Sequence, residues 1–278
     1  MPRKWTQAEA GGKYQELFQL YVTENKTIGD IGKMLGLSGS TVYDRLIRLG
    51  IPTLRTKKPR CNNTRTDITL PERYSEDLAE FFGIMLGDGK LTKTQVMVTL
   101  GTKEMAYAEW ICKLFQIIFS VRPKISFRKT GHKVVYFGSV TASRWLMNEG
   151  LVFNKVLLQV NAPRWIFRKR SYMVKFLRGF FDTDGSVYKL RWGIQLSFTN
   201  RSAPLLKSIH GMLAKVGYHP SAISGGRIYL TRREDILDFF QNVDPKNPKH
   251  KERFEKILNN TPFVYKTGAS HSGNCSRL

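Results

Sequence analysis

Acidic residues are scarce in this sequence. The 278 residues include 22 Asp and Glu against 45 Lys and Arg, which gives a formal net charge of +23. So large an excess of one sign destabilises a compact fold by self-repulsion, unless the chain meets a polyanion. Nucleic acid is therefore the first partner to consider, and an anionic membrane surface the second.

Long hydrophobic runs and clustered cysteines are also missing. No apolar stretch approaches the roughly 18 residues of a membrane-spanning helix, so we expect no membrane association. The cysteines Cys61, Cys112 and Cys275 are far apart, and the five histidines are equally scattered. This spacing does not match zinc motifs and is typical of reduced thiols. We therefore expect an intracellular protein of the cytoplasm, the nucleoid or an organelle.

One apolar motif occurs twice. Residues 81–89 read Phe-Phe-Gly-Ile-Met-Leu-Gly-Asp-Gly, and residues 177–185 read Leu-Arg-Gly-Phe-Phe-Asp-Thr-Asp-Gly. Asp88 and Asp184 close the two copies and stand about 95 residues apart. A single apolar helix that ends in Asp-Gly is usually only a helix with a C-terminal turn. Recurrence at a fixed period instead indicates a repeated structural unit.

The segments after the two motifs correspond as well. Alternating residues predict a strand after each copy, over 91–101 in the first. Amphipathic helices follow at about 104–119 and 204–216. A proline, a short hairpin and a final helix complete both halves. The order of these elements predicts an α+β fold in which an αββαββα unit occurs twice.

Small residues recur on one face of each motif helix because four-residue spacing brings them into line. They are Gly83, Gly87, Gly179 and Thr183. Small side chains let two helix backbones approach closely, so we expect the two motif helices to pack side by side. Their C-terminal ends then coincide, with Asp88 and Asp184 a few Å apart. Two such carboxylates repel each other unless one is protonated or a cation lies between them.

Both motif copies resemble the signature helix of the LAGLIDADG homing endonucleases, over about residues 71–265. The resemblance implies two repeats in pseudo-two-fold arrangement, with two saddle-shaped sheets over double-stranded DNA. It also implies a monomer that makes Mg²⁺-dependent double-strand breaks and leaves 3′ overhangs. Two or more Mg²⁺ ions would be used. Mn²⁺ would substitute for them, and Ca²⁺ would support binding without cleavage.

The resemblance further implies roles for individual residues. The metal set would be Asp88, Asp184, Gly87 and Thr183. Asn200 would hold metal-bound water, while its counterpart Thr102 is a weaker candidate. Arg232, or its neighbour Arg233, would supply a basic group near the second acid, and the counterpart Val140 cannot. We therefore expect the two DNA strands to be cut at different rates.

The sixth position of the motif differs between the copies. It is Leu86 in the first and Asp182 in the second. In the family this position normally supports the helix end and is not the main metal ligand. Leu86 therefore does not imply loss of activity.

Residues 1–54 resemble a helix-turn-helix DNA-binding module. Thr27 and Asp30 form a capping pattern, residues 37–40 a turn, and residues 41–50 the second helix. An ordinary helical hairpin needs the same apolar residues and is the alternative interpretation. The predicted DNA contacts of this module are Ser40, Thr41, Tyr43 and Arg45.

The strands of the repeats predict a further DNA-binding surface. Polar and basic side chains alternate with apolar ones, although an exposed strand face is polar in any case. Their abundance beside the motif pair favours groove contacts. The predicted contacts are Gln95, Thr99, Arg128, Lys189, Arg191, Gln195, Ser197, Arg227 and Tyr229.

The length allows two or three small domains. Residues 55–70 form a basic linker, and Lys57, Lys58 and Arg60 either face solvent or lie along the DNA. The predicted organisation is a helical module at 1–54, the linker at 55–70, repeat 1 at 71–150, an inter-repeat linker at 151–170, repeat 2 at 171–265 and a disordered tail at 266–278.

Two other functions fit the same scaffold. A DNA-binding regulator would keep the sheets without cleaving, and an intron maturase would use them to bind RNA. Two acidic motif residues favour the endonuclease. Mg²⁺-dependent linearisation of a plasmid distinguishes it from the regulator, and strong intron-RNA affinity without DNA cutting would support the maturase.

Overall fold

A computed structural model describes residues 7–24, 26–51, 53, 68–191 and 193–259. These residues form two compact units with separate apolar cores, one before residue 60 and one after it. The predicted contacts Lys57, Lys58 and Arg60 and the predicted tail 266–278 lie outside the described residues. No described helix is both long and apolar enough to cross a membrane.

The N-terminal unit is helical. Helix α1 (Gln7–Phe18) runs into a π-helical turn (Gln19–Thr23), and α2 (Ile28–Leu35) and α3 (Gly39–Arg48) follow. One apolar side chain or more from each segment enters the core, which consists of Leu17, Tyr21, Ile31, Val42, Leu46 and Ile51.

Local hydrogen bonds set the ends of α2 and α3. The Thr27 hydroxyl accepts the Asp30 N–H at 3.1 Å, and the Thr27 N–H donates to the Asp30 carboxylate. The Ser38 hydroxyl accepts the Thr41 N–H at 3.1 Å, so α3 begins at Gly39. The predicted start at Thr41 is therefore two residues late, because Ser38 satisfies a free N–H of the first turn.

The larger unit opens with the first repeat, which has the predicted αββαββα order. Its elements are α4 (Glu76–Leu86), β1 (Gly89–Leu91), β2 (Gln95–Leu100), α5 (Met105–Phe119), β3 (Lys124–Phe127), β4 (Lys133–Gly138) and α6 (Val140–Asn148). The antiparallel sheet has the order β1-β2-β4-β3. The single strand predicted over 91–101 is wrong, since the Thr92 hydroxyl accepts the Thr94 and Gln95 N–H groups and forms a turn there.

Over residues 170–191 and 193–243, the second repeat has one strand fewer than the predicted order. Its elements are α7 (Arg170–Asp184), β5 (Gly185–Leu190), β6 (Gly193–Thr199), α8 (Ala203–Lys215), β7 (Arg227–Leu230) and α9 (Arg233–Asp238), with a π-helical turn over Phe239–Val243. The antiparallel sheet has the order β5-β6-β7. A short 3₁₀ helix (Arg164–Arg168) precedes α7.

Residues 220–224 occupy the place of the missing strand but pair with β7 only in part. Ser221 donates its N–H to the Tyr229 carbonyl at 2.9 Å, and its hydroxyl, not its carbonyl, accepts the Tyr229 N–H at 3.0 Å. Pro220 has no N–H to donate. One isolated bridge, Ser224 with Arg227, completes the hairpin. A side-chain acceptor and a proline thus interrupt the ladder.

Helices α4 and α7 pack side by side between the two sheets. A Cβ on Gly83 would lie 2.2 Å from the Phe176 carbonyl oxygen, and one on Gly179 would lie 2.1 Å from the Glu80 carbonyl oxygen. No side chain larger than hydrogen fits at these points, so the two backbones are in direct contact. Phe81 of α4 packs into the first half of the core, and Phe181 of α7 packs into the second.

A buried polar cluster also joins the helix pair. Glu80 accepts the Trp110 indole N–H at 2.8 Å and pairs with the Arg178 guanidinium at 3.3 Å. Arg178 further donates to the Val243 carbonyl at 2.6 Å. Burial raises the pKa of Glu80. Charged groups buried together in this way require each other, because removing one partner leaves the other charge unpaired.

A further helix, α10 (Pro248–Asn259), follows the second repeat. Asp182 fixes the segment before it by accepting the N–H groups of Lys246 at 2.9 Å and Asn247 at 3.0 Å. The sixth position of the second motif therefore holds the segment before α10 in place. Burial raises the pKa of Asp182 to about 7.

Candidate active site at the paired helix ends

The C-terminal ends of α4 and α7 meet at small residues. A Cβ on Gly87 would lie 1.9 Å from the Thr183 hydroxyl oxygen and 3.5 Å from the Asp184 carboxyl carbon. Asp88 follows Gly87 directly, so both acidic residues lie at the same end of the helix pair. All four small residues predicted for the helix contact, Gly83, Gly87, Gly179 and Thr183, lie at it.

The two acidic residues share one electrostatic environment. Burial raises the pKa of Asp184 to about 6, and the nearby charge of Asp88 adds to the shift. The pKa of Asp88 is also raised by partial desolvation, although its side chain stays exposed. Two carboxylates held this way favour a bound cation, because it relieves both the repulsion and the loss of hydration.

Asn200 contacts the second acid directly. Its side-chain amide donates to the Asp184 carboxylate at 2.8 Å, and its amide oxygen accepts the Ser202 N–H at 2.9 Å. The amide therefore has a fixed orientation, and this contact lowers the pKa of Asp184. The counterpart Thr102 is exposed, and its carbonyl accepts a hydrogen bond from the Lys133 amine. The two acids thus have different neighbours.

Lys155 is a site residue that the sequence alone did not indicate. It lies in the inter-repeat segment, and its amine donates to the carbonyls of Met85 at 3.0 Å, Leu86 at 3.3 Å and Gly87. Burial lowers the pKa of Lys155, while Asp184 and Asp88 raise it. One cation thus caps the end of α4 and lies within Coulombic reach of both acids. No periodicity marks this position, since the segment has no regular secondary structure.

A second cation approaches the acids from α10. Lys249 lowers the pKa of Asp88 and of Asp184, and its amine pairs with Glu104 at 2.8 Å. Glu104 also accepts the Asn247 side-chain amide at 2.6 Å and the Gly101 N–H at 2.5 Å. These contacts join the segment before α5 to the start of α10.

Arg232 does not lie beside the acids, and its predicted catalytic role is wrong. Strand β7 is antiparallel to β6 and pairs Thr199 with Arg227 and Leu196 with Leu230. Arg232 therefore lies beyond the Leu230 end, whereas Asn200 follows the Thr199 end. The length of β6 separates them by about 20 Å at 3.3 Å per residue. The alternative residue Arg233 begins α9 at the same distant end.

The polar sides of the two sheets hold most of the predicted strand contacts. Gln95 and Thr99 alternate with buried residues of β2, and Gln195 does so in β6. Tyr229 and Arg227 lie opposite Ser197 and Thr199 in the register of β6 and β7. These residues share one face of their sheet, because directly paired residues point to the same side. Arg128 and Arg191 are exposed beyond the ends of β3 and β5.

Two predicted contacts are placed differently. Ser197 is 1 % exposed and its hydroxyl is enclosed, so it is wrong as an outward-facing contact. Lys189 pairs with Ile194 and therefore lies on the opposite face from Gln195, which pairs with Tyr188. The prediction counted a single alternation through the β5–β6 turn. Because the hairpin pairs Leu190 with Gly193, odd-numbered residues of β5 share a face with even-numbered residues of β6. Tyr188, and not Lys189, therefore lies on the polar face with Gln195.

The predicted contacts of the N-terminal unit lie on α3. Ser40 and Tyr43 are exposed, whereas Thr41 and Arg45 are half-buried. Tyr43 is 46 % exposed and Ile47, one turn later, is 54 % exposed, so α3 has a free outer face. This geometry suits a helix that enters a groove, and it also suits a plain three-helix bundle.

The residues around the two acids suit magnesium better than zinc. Among residues 7–24, 26–51, 68–191 and 193–259, no group of three or more His, Cys, Asp and Glu side chains could hold a metal ion. Asp88 and Asp184 are two carboxylates with access to solvent. Magnesium needs only one or two carboxylates, together with substrate phosphates and water. The Gly87 carbonyl of the predicted metal set already accepts the Lys155 amine.

Comparison with a family model bears directly on the second repeat. Residues 171–243 match the model of a LAGLIDADG-like domain. This range contains α7, the second sheet and α9, and it ends before α10. The first repeat has a similar succession of elements with one additional strand, and Asp88 follows α4 as Asp184 ends α7. No curated protein matched the chain.

Solved structures to which the chain is similar include homing endonucleases. I-DmoI in complex with DNA and Mn is 17 % identical, over 60 % of this chain and 96 % of that chain, with a TM-score of 0.44. I-WcaI bound to its DNA recognition sequence is 16 % identical, over 73 % and 95 %, with a TM-score of 0.49. The N-terminal LAGLIDADG domain of DUF199/WhiA is 18 % identical, over 63 % and 86 %, with a TM-score of 0.44. At such values the function has to be inferred from this chain's own residues.

Proposed function

We propose that this chain is a site-specific DNA endonuclease that hydrolyses both strands of a duplex, with magnesium as its cofactor. The observation that supports this most directly is the pair of acidic residues at adjacent ends of two helices in backbone contact. The first strand of each sheet begins at the residue after the acid, so both sheets start at this end of the helix pair. The chain contains both repeats, so it would act as a monomer and leave 3′ overhangs, as the motif resemblance implies.

The side chains have distinct roles in this proposal. Asp88 and Asp184 would hold the cation, whose chemistry when bound would be Lewis-acid polarisation of the phosphodiester and activation of a water. Asn200 orients the Asp184 carboxylate through its 2.8 Å hydrogen bond. Lys155 fixes the end of α4 and offsets negative charge when the DNA phosphates arrive.

The two half-sites differ, so we propose that one strand is cut faster than the other. Lys249 and Lys155 lower the pKa of both acids. Asp184 also accepts the Asn200 amide at 2.8 Å, whereas the nearby Glu104 carboxylate raises the pKa of Asp88. The measurement is a time course on a duplex labelled on both strands. Equal accumulation of the two nicked intermediates would contradict this proposal.

The experiment that tests the function begins with selection of cleaved sequences from a randomised duplex library in Mg²⁺. Asp88→Asn and Asp184→Asn are then compared with the parent on the selected duplex. We expect both variants to lose double-strand cleavage and to keep DNA binding in Ca²⁺. Asp77→Asn, in the first turn of α4, makes the same substitution at the other end of that helix and should cleave normally.

Two outcomes would overturn the function. If no duplex in the library is cut, the chain is not a nuclease. If the variants cut as well as the parent, the acidic pair is not the active site. A binding loss of about 3 kcal/mol or more in the variants would instead show that the acids maintain the fold, since losses of that size accompany core disruption.

We also propose that the N-terminal unit binds the same kind of ligand through α3. Exposed Ser40 and Tyr43 near the start of the helix and Arg48 at its end support this. Deleting residues 1–54 should then weaken duplex binding and reduce its salt dependence, because phosphate contacts are lost. An unchanged salt dependence would refute a role in DNA binding.

A further inference from the structure

The helix α10 presents a row of cations beside the acidic pair. Lys249, Arg253 and Lys256 follow one another at helical spacing, so they share one side of the helix. Together with Lys189 of β5, they line a cleft of about 580 Å³ that also contains Glu252 and Ile257. Lys189 reaches this cleft because its strand parity turns it away from the polar face of the sheet.

Helix α10 packs against the core of the larger unit. Its apolar side packs inward through His250, Phe254 and Ile257. The Phe254 ring stacks on Phe240 with centroids 3.9 Å apart, and His250 lies 4.7 Å from the Phe181 ring. The cations are therefore carried on an element with a fixed place relative to α7, of which Phe181 is part.

The cation row begins at the acids. The Lys249 amine pairs with Glu104, and Glu104 accepts the Gly101 N–H just beyond Thr99, whose own N–H donates to the Asp88 carbonyl at 3.4 Å. The next residue of the helix, His250, contacts the main-chain carbonyl of Asp182 at 3.3 Å, two residues before Asp184. From Lys249 the row extends seven residues along the helix, which is about 10 Å at 1.5 Å per residue. One DNA strand has a phosphate about every 3.4 Å along the duplex axis. The row therefore matches the length of about three consecutive phosphates.

The cations that line the cleft differ in their contacts with other side chains. Lys249 pairs with Glu104 at 2.8 Å. Arg253 lies 5.6 Å from the Tyr188 ring centroid, a contact that leaves its charge available. Lys189 and Lys256 are exposed. Lysine and arginine exposed in a cleft of this kind suit a polyanion and do not suit an apolar or cationic ligand.

We propose that this cleft binds the phosphate backbone of one DNA strand over about three phosphates next to the cleaved bond. This rests on the proposed function and adds a contact element, α10, that lies outside the matched domain at residues 171–243, while Lys189 belongs to that domain. Lys189 then contacts a phosphate and no base. Phosphate contacts fix the register of the DNA without reading its sequence.

The test is the salt dependence of binding to a 30-base-pair duplex of arbitrary sequence, in KCl without divalent ions. The variant combines Lys189→Gln, Arg253→Gln and Lys256→Gln. The slope of log K against log salt is negative, and each lost phosphate contact makes it shallower by about 0.9. For the three substitutions we expect the magnitude of the slope to fall by about 2 to 3. If the two proteins bind equally at 1 M salt, this corresponds at 0.1 M salt to binding weaker by roughly a hundredfold to a thousandfold.

A matched control removes the same charge elsewhere. Lys113→Gln, Arg144→Gln and Lys207→Gln change exposed residues of α5, α6 and α8, which lie against the apolar sides of the sheets. This variant should keep a slope within about 0.5 of the parent, since general charge reduction has a small effect compared with lost contacts. Thermal melting of both variants reports whether they fold, and the single change Lys256→Glu repeats the test with minimal disturbance.

The outcomes separate this inference from the proposed function. A parent chain that does not bind the duplex would overturn both. A parent that binds and cuts, with the cleft variant and the control variant equal in slope, would overturn the cleft proposal alone. On a cleavable duplex, three uncharged methylphosphonate linkages beside the cut should weaken binding of the parent and have little further effect on the cleft variant. If the losses of binding free energy from the methylphosphonates and from the cleft substitutions added fully, the cleft cations would not contact these phosphates.

Discussion

Asp184→Asn should stabilise this protein at neutral pH. Burial and the charge of Asp88 raise the pKa of Asp184 from 3.8 to about 6 in the folded state. The folded state thus binds the proton more tightly than the unfolded state does. Stability from this group is fully present below pH 3.8, is lost as the pH rises through about 6, and is absent above that.

The size of the effect follows from the shift. A change of about two pKa units corresponds to about 3 kcal/mol at 1.36 kcal/mol per unit, and residual solvent at the half-buried carboxylate reduces it to about 2 kcal/mol. An asparagine avoids this cost and can still accept the Asn200 amide. For a unit of about 200 residues, 2 kcal/mol corresponds to a rise in Tm of roughly 4 to 8 °C.

The assay is thermal unfolding of parent and variant followed by circular dichroism, from pH 4 to pH 8 in EDTA. We expect the gap in Tm to be largest above pH 6.5 and to shrink towards pH 4, where the folded carboxylate is protonated. Added Mg²⁺ should raise the Tm of the parent and leave the variant unchanged. Asp77→Asn at the other end of α4 serves as the control. A variant that melts at or below the parent at pH 7.5, or a gap that is independent of pH, would refute this account of the site.

Three further changes test the surrounding contacts. Gly83→Ala should lower the free energy of unfolding by about 3 kcal/mol or more in chemical unfolding, because its Cβ would lie 2.2 Å from the Phe176 carbonyl oxygen. The control Gly211→Ala in α8, whose Cβ would meet nothing within 4 Å, should be neutral or stabilising. Lys155→Met removes a cation that lowers the pKa of Asp184, so the acid limb of the cleavage pH profile should move to higher pH; an unmoved limb would exclude this role. Asn200→Leu should slow one strand more than the other in a two-label cleavage assay, and equal slowing of both would argue against its specific contact with Asp184.

The repeated motif was sufficient to predict the centre of the fold. Small residues at four-residue spacing and an Asp-Gly end predicted two helices in close contact with coincident C-termini. The helix contact requires this pattern, because Gly83 and Gly179 have no space for a Cβ. Apolar periodicity likewise predicted α5 and α8 to within one residue at each end. Local patterns predict structure well within one helix or strand, because the spacing along that element determines which residues share a face.

The errors arose where the chain changes direction. The alternation through 189–199 looked continuous, but the turn between β5 and β6 reversed its parity and moved Lys189 to the other face. Arg232 was placed beside the acids because the end of β7, not its start, was assumed to lie near them. Local periodicity does not show which sheet face the residues take after a turn. It also does not show which end of a strand lies near a site.

The sequence by itself determined the paired acidic helices, the two α+β repeats and the basic character of the chain, since spacing and composition are local properties. Tertiary structure alone decided which cations surround those acids. Lys155 and Lys249 come from an irregular segment and from a helix beyond the second repeat, and they meet Asp88 and Asp184 only after chain folding brings distant segments together. Long-range electrostatics depends on distance in space, and no pattern along the chain records it.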